Sequence, residues 1–398
     1  MKSLVLEFGG KKWGYVVPQS QTVVEFESLV LPLGVDPGHM MRNALENPCG
    51  YPRLCETLTP DDHLVIVVDD SIPNFVKLLS EVLLHIQKAG VNLENVVLLL
   101  PAGQNTCNWL EDLPEELDGV RVETHHPDDK KALCYLATNE AGERVYLNRT
   151  LVEADQVIVL GKRSYDSIHG HSGAQCDIFP AMADDQTISG YAGQTVELLP
   201  NSPSKASVQA TEVAWLLGAP YFIQVIEGSG GALHDIVTGS VEASQKAEAE
   251  LDKVWLKTTP AAVSTVVALV GRSGERVSFH DLCRAAQCAS RVVKKQGSIV
   301  LLSEAILDLA AIRQQLEAGS SKKTKISMNP EFRMWVEAAS HAKIYLASEN
   351  AAVDAERLMA SPVRQEKDLV ELLNGASSVL VIPDAHRSYV RISRQTKK

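Results

Sequence analysis

Residues 63–103 read HLVIVVDDSIPNFVKLLSEVLLHIQKAGVNLENVVLLLPAG. His63–Val68 is a short apolar run rich in β-branched residues, the pattern of a strand buried on both faces. Apolar residues at 75, 78, 79, 82, 83 and 86 then follow helical spacing over Asn74–Lys88, and Gly90 ends the helix as a C-terminal cap. Asn95–Leu100 is a second buried strand. Strand, helix and strand joined by short turns require a crossover, hence parallel pairing and an α/β sheet.

The alternation continues on both sides of this unit. Val120–Glu123, Gln156–Leu160 and Tyr221–Ile226 read as strands and Ala210–Leu217 as helix. Further along, Ser264–Val270, Ser298–Leu302, Lys343–Ala347 and Ser378–Ile382 read as strands and His280–Lys295 as helix. The Gly-, Pro- and Ser-rich segment 190–206 reads as a long loop. Gly228–Gly231 reads as a turn rather than a phosphate loop, since no lysine or helix start follows in register. A polar helix over 241–255 is suited to bridging two halves. The expected fold is therefore α/β, two α/β domains with a cleft between them, divided as 1–250 and 251–398. In open α/β sheets ligands lie beyond the carboxyl ends of the strands, which points to residues 69–73, 101–106 and 161–176.

Composition excludes several function classes. The chain has 398 residues, 45 % hydrophobic and 22 % charged, ordinary for a globular protein. Its net charge of −12 opposes binding to nucleic acid or an anionic membrane surface. The lysines of 320–325 and the Lys397-Lys398 tail read as solvated segments. Seven cysteines without a C-x-x-C pair imply neither a disulfide framework nor a zinc ribbon, and fit thiols in a reducing cytoplasm. No run reaches the roughly 18 apolar residues of a membrane span. The expectation is a cytoplasmic protein whose partner is a small polar metabolite, with its oligomeric state open.

The segments at the strand ends carry the chemistry. They are Asp69-Asp70-Ser71-Ile72-Pro73, Ala102-Gly103-Gln104-Asn105-Thr106, His125-His126-Pro127-Asp128, Leu147-Asn148-Arg149 through Ala154-Asp155 to Gly161, then Asp166 through His169, His171, Ser172 and Gly173 to Cys176, followed by Pro180-Ala181 and Thr187-Ile188. Their order resembles the nickel-pincer lactate racemase family from about Lys2 to about Glu304. The resemblance implies a nickel ion in an organic pincer nucleotide, tied down by a lysine thioamide and ligated by a histidine. It also implies two histidine bases for the lactate hydroxyl and an arginine clamp for the carboxylate.

Residue by residue, this chain departs from that pattern. Ile72 stands where the resemblance places the arginine. Gln104 and Asp166 stand in place of the two histidine bases, and Cys176 in place of the lysine. Ala192 falls where the nickel-ligating histidine is expected, and Gln287 near the cofactor-phosphate lysine. Glutamine cannot relay a proton at neutral pH, isoleucine cannot hold a carboxylate, and cysteine cannot form that thioamide. No cofactor is therefore expected. The candidates for altered catalysis are Gln104, Asp166, His169 and His171. Ser71 and Ile72 mark the substrate position, and Ser172, Gly173 and Cys176 the cofactor position.

Other readings stay open. His169 and His171, with Asp166 and Cys176, match borderline-metal ligand types, but no zinc motif has this spacing; the other reading is a polar loop lining an empty or altered cleft. Cys176 is either a thiol activated by a histidine or a small buried hydrophobe. Ser172-Gly173 either presents N–H groups to an anion or simply turns the chain. His125-His126 faces the same cleft or is solvated. Asp69-Asp70 with Asp184-Asp185 is a hard-cation site or a set of turn caps. Three functions follow: a diverged isomerase acting on a small 2-hydroxy acid or related polar metabolite, a silent binding relative, and a metal-binding protein using the 166–176 loop.

Overall fold

The computed structural model describes residues 3–27, 35–103, 108–117, 119–166, 170–192, 204–275, 277–305, 330–348, 355 and 358–393. Gln104, His169, the lysines of 320–325 and most of the 190–206 segment lie outside the described residues. Two compact units emerge, 31–253 and a discontinuous one made of 1–30 with 254–398. The N-terminal residues, placed with the first domain by sequence, thus cluster with the second.

The chain opens with β1 (Ser3–Phe8), β2 (Lys11–Val16) and β3 (Thr22–Glu25). The unit 31–253 then contributes β4 (Leu64–Val68), β5 (Val96–Leu100), β6 (Arg121–Thr124), β7 (Leu133–Thr138), β8 (Arg144–Asn148), β9 (Gln156–Asp166), β10 (Gly170–Ser172), β11 (Tyr221–Glu227) and β12 (Leu233–Gly239). Its sheet runs β12-β11-β9-β4-β5-β6, with β10 folded back on β9. All neighbours from β11 to β6 are parallel. The quoted stretch supplies the centre: every residue of β4 and β5 is buried.

Helices α1 (Pro37–Glu46), α2 (Leu54–Thr57) and α3 (Phe75–Lys88) lie on one side of the sheet, packed with Ile66, Leu98 and Ile158. After α4 (Arg149–Val152), the one-turn α5 (Gln175–Ile178), α6 (Asp185–Ala192) and α7 (Lys205–Leu216) place apolar residues against the other face, with Val65, Leu99 and Val159. Gly90 ends α3 at φ +88°, its N–H donated to the Gln87 carbonyl at 2.9 Å. The unit ends in α8 (Ala243–Trp255).

In the other unit, β13 (Leu256–Thr259) pairs with β19 (Tyr389–Ile392), while β14 (Val263–Leu269), β15 (Val293–Leu302), β16 (Lys343–Ala347), β17 (Ser361–Pro362) and β18 (Ser378–Ile382) form a parallel sheet in the order β17-β16-β15-β14-β18-β3. β3 closes its edge beside β18, which explains the clustering of the N-terminus with this unit. The helix expected over His280–Lys295 is α9 (Phe279–Ser290), and β15 already starts at Val293. Val292-Val293 are β-branched, and Gln296 at φ +61° marks a bulge that a helix cannot contain.

Candidate functional site

β9 continues six residues past Leu160, where the sequence reading had ended the strand. The extension is polar, Gly-Lys-Arg-Ser-Tyr-Asp, and β10 pairs with it antiparallel, setting His171 opposite Tyr165 and Ser172 opposite Ser164. Alternation puts Arg163, Tyr165 and His171 on one face and the serines on the other. The two serine hydroxyls meet at 3.0 Å. The rings of Tyr165 and His171 lie 5.3 Å apart.

Helix α8 supplies their partners. Glu248 and Asp252 are four residues apart on a helix, about 6 Å of rise, close to the roughly 6.6 Å between alternate residues of a strand. Glu248 therefore meets Arg163 while Asp252 meets Tyr165 and His171. Asp252 Oδ1 accepts from the Tyr165 hydroxyl at 2.6 Å and lies 2.9 Å from His171 Nε2. Glu248 Oε2 lies 3.9 Å from His171 Nδ1, and its Oε1 accepts a hydrogen bond from Arg163. The Arg163 side chain is fully buried and also donates to the Gly173 carbonyl at 3.4 Å. The sequence reading treated this helix as a polar bridge. Its i,i+4 acid pair was the available signal, but nothing in one dimension says which strand it faces.

Beneath β10, Gly173 (φ +98°) and Ala174 (φ +53°) turn the chain into α5. A Cβ at Gly173 would lie 2.1 Å from the Lys162 carbonyl oxygen, so only glycine lets the loop sit on β9. The helix that follows is one turn long and begins with Gln175, Cys176 and Asp177, so it adds little to an anion site. Cys176 is 5 % exposed, and burial together with the charge of Asp166 pushes its thiol well above the ordinary value. A thiol so disposed is a poor nucleophile.

Asp177 is the residue that sequence reasoning missed. Its Oδ2 is buried without a hydrogen-bond partner. A Cβ on Gly161 would lie 2.2 Å from that oxygen, so the absent side chain makes the room for it. Burial, reinforced by Asp69 and only partly offset by Arg163, pushes the carboxyl up to about 8. Asp69 is fixed at the end of β4 by its N–H to the Leu160 carbonyl (3.0 Å) and by the Ser71 N–H (3.0 Å) and hydroxyl (2.6 Å) on its Oδ1. On β11, Gln224 lies beside Gly161 in register, and its side chain shares the face of Phe222, which packs with Ala174 and Cys176. Gln224 is 1 % exposed, and neither its Oε1 nor its Nε2 has a hydrogen-bond partner; the same holds for Arg163 Nε.

Several expectations land elsewhere. Ile72, expected at the substrate position, is 3 % exposed and belongs to the hydrophobic core with Ile66 and Leu78. His125 is a buried pin: Nε2 donates to the Ala183 carbonyl at 2.8 Å, Nδ1 accepts from Asn148, and burial lowers its pKa. Asp184 caps α6 through Thr187, while Asp70 accepts from Trp109 Nε1 at 3.2 Å, so the two acid pairs act at turns. Ala192 closes α6. Among the described residues no three His, Cys, Asp or Glu side chains are arranged to hold a metal ion.

Residues 8–197 match the lactate racemase N-terminal domain family. Beyond that segment, the likeness to the lactate racemases is at low identity. The chain is 22 % identical over 218 residues to the lactate racemase of Thermoanaerobacterium thermosaccharolyticum, covering 52 % of this chain and 50 % of that one. It is 21 % identical over 284 residues to the lactate racemase of Lactiplantibacillus plantarum, covering 67 % and 65 %. The matches thus span half to about two thirds of these curated relatives. The structure of the lactate racemase apoprotein from T. thermosaccharolyticum superposes with a TM-score of 0.79 at 17 % identity, covering 98 % of this chain and 100 % of that one. A Thermotoga maritima crystal structure gives 0.67 at 12 % identity, over 89 % and 98 %. These structural likenesses establish the lactate racemase fold for this chain.

Proposed function

We propose that this protein is a diverged relative of the lactate racemases that binds, or isomerises by an altered mechanism, a small 2-hydroxy acid or related polar metabolite at the carboxyl ends of β4, β9 and β11. The observation that carries this reading is the Tyr165–Asp252–His171 set. With His171 Nε2–H donated to Asp252, the ring is held in one tautomer and Nδ1 is left as the acceptor for a ligand hydroxyl. Asp252 and Tyr165 orient that ring.

The nickel-pincer group of the resembling family does not fit the residues present. Cys176 is buried with its thiol proton retained, Ala192 has no ligating atom, and Ile72 lies in the core. We therefore route no step through that group. Purified protein is expected to carry neither stoichiometric nickel nor an added pincer mass.

The test is a panel of single-enantiomer 2-hydroxy acids and sugar acids, followed by thermal shift and by chiral chromatography. A binder that loses its enantiomeric purity identifies an enzyme. The His171→Ala variant is then expected to lower turnover about 100-fold or more, with Asp252→Asn intermediate. A binder that is never isomerised identifies a silent relative. No binding across the panel sinks the proposal.

A further inference from the structure

Outside the proposed site, the cysteines divide by environment. Cys176, Cys283 and Cys288 are buried, and burial pushes the thiols of Cys176 and Cys288 up. Cys49, Cys55 and Cys134 are partly exposed. Exposure lets a reagent arrive, but a reactive thiol also needs a neighbour that favours its thiolate. Cys134 Sγ has only a weak contact with the Tyr135 carbonyl, 3.8 Å away. Cys49 Sγ instead lies 3.3 Å from Lys246 Nζ, a partner 197 positions along the chain.

Both partners stand on fixed backbone. Cys49 lies in the turn between α1 and α2, and its N–H donates to the Thr238 carbonyl of β12 at 2.8 Å. Gly239 pairs with it across an isolated bridge. The chain then enters α8, and Lys246 falls in the first turn of that helix. An ammonium there faces the positive end of the peptide dipoles and gains from an anionic neighbour. Among the described residues no carboxylate pairs with Lys246; its hydrogen bond goes to sulfur.

A second observation lies beside the pair. Tyr221, the first residue of β11, is 3 % exposed, and its hydroxyl has no hydrogen-bond partner. Its ring meets that of Tyr51, two residues beyond Cys49, edge-on at 5.6 Å. Burial pushes the hydroxyl up to about 12, with Cys49, Tyr51 and Cys55 adding to the effect, so it remains a donor. A buried donor without an acceptor calls for one, and an oxygen carried on the Cys49 sulfur would supply it.

We infer that Cys49 and Lys246 form a redox-modification site, in which hydrogen peroxide oxidises Cys49 to a sulfenic acid and Lys246 Nζ traps it as a reversible sulfenamide link. The pair stands at the amino end of β11, so this does not rest on the function proposed above for the carboxyl ends of the strands. The Cys49 thiol first gives its proton to water. The thiolate attacks one peroxide oxygen; an S–O bond forms and the O–O bond breaks, a two-electron oxidation of sulfur and reduction of peroxide. The departing hydroxide takes a proton from the Lys246 ammonium and leaves as water. The amine so freed attacks sulfur: an N–S bond forms, the S–O bond breaks, and the hydroxide leaves with a proton from nitrogen as the second water. A sulfenic acid condenses in this way with a nitrogen held against it, and Lys246 Nζ is already in contact with the sulfur.

The experiment treats the purified full chain, reduced beforehand, with hydrogen peroxide at neutral pH, and follows intact mass and a tryptic peptide map. The expected product is lighter than the reduced chain by about 2 Da, with the Cys49 and Lys246 peptides joined, and dithiothreitol separates them. The Lys246→Arg variant keeps the charge without a nucleophilic amine. It should stop at the sulfenic acid, about 16 Da heavier and captured by dimedone. In Lys246→Met the charge is lost as well, and Cys49 should oxidise about tenfold more slowly. A Cys49–Cys55 disulfide in place of the joined lysine peptide overturns the inference. So does oxidation of Cys49 without any link, or a Cys49 that stays reduced while Cys134 reacts. An unchanged oxidation rate in Lys246→Met overturns the part given to the ammonium.

Discussion

Replacing Asp177 by Asn should make this protein more stable at neutral pH. Asp177 Oδ2 is buried beside Asp69 without a donor. The folded chain therefore holds the carboxyl protonated up to about 8, whereas the unfolded chain releases that proton near 3.8. With a raised folded value, the folded state binds the extra proton between those two pH values, so stability falls as pH rises through that window. At pH 7 this amounts to about three units at about 1.4 kcal/mol each, an upper bound of about 4 kcal/mol. Local relaxation brings the realised cost to about 2 kcal/mol. Asparagine has nearly the same shape and never ionises, so the variant escapes the cost, and Tm should rise by about 5 °C at pH 7. Thermal unfolding followed by circular dichroism from pH 4 to 8.5 is the assay. The two proteins should coincide near pH 4 and diverge steadily up to about pH 8. A gap that stays constant with pH, or a less stable variant at pH 7, refutes the reasoning.

In the other unit, Glu275 works in the opposite sense. Burial alone would raise its pKa, but hydrogen bonds and charge from His386 and Arg387 overcome this and hold it at about 2. Its contribution, about 3 kcal/mol by linkage, is present above about pH 4.5 and is lost as pH falls through about 2. The Glu275→Gln variant should thus be less stable at pH 7 and converge with the parent in acid unfolding; parallel curves would show the network to be inert. Gly173→Ala should cost about 3 kcal/mol in urea unfolding, from positive φ and the 2.1 Å approach to the Lys162 carbonyl. It should also weaken ligand binding by displacing α5; a loss below about 1 kcal/mol would mean the loop relaxes freely.

Much of the architecture is legible in one dimension because burial leaves a local trace. β4 and β5 are apolar throughout and α3 repeats with helical period, so their contacts are written into composition and spacing. Residues 343–347 and 378–382 are strands in the structure as in the sequence reading. The polar end of β9 left no such trace. Its residues Arg163 and Tyr165 are stabilised by Glu248 and Asp252, about 85 positions away, and only that pairing makes an extended polar segment favourable.

The same division runs through the site. His171, Ser172, Gly173, Asp166 and Cys176 could be marked because they follow a strand and occupy a motif. The role of each is set by neighbours far along the chain: Cys176 becomes an inert buried thiol, and His171 becomes one half of a pair with Asp252. Asp177 and Gln224 look unremarkable in the string of letters. Gly161 has no side chain, Asp177 fills that gap, and β11 lays Gln224 alongside.

By itself, then, the sequence determined the parallel α/β scaffold and the order of its strands and helices, since those depend on local periodicity and chain reversal. Which acids gather there, which of them keeps its proton and which cation is already engaged were decided by tertiary structure. Charge and desolvation act through space, and the distances that govern them exist only once the chain has folded.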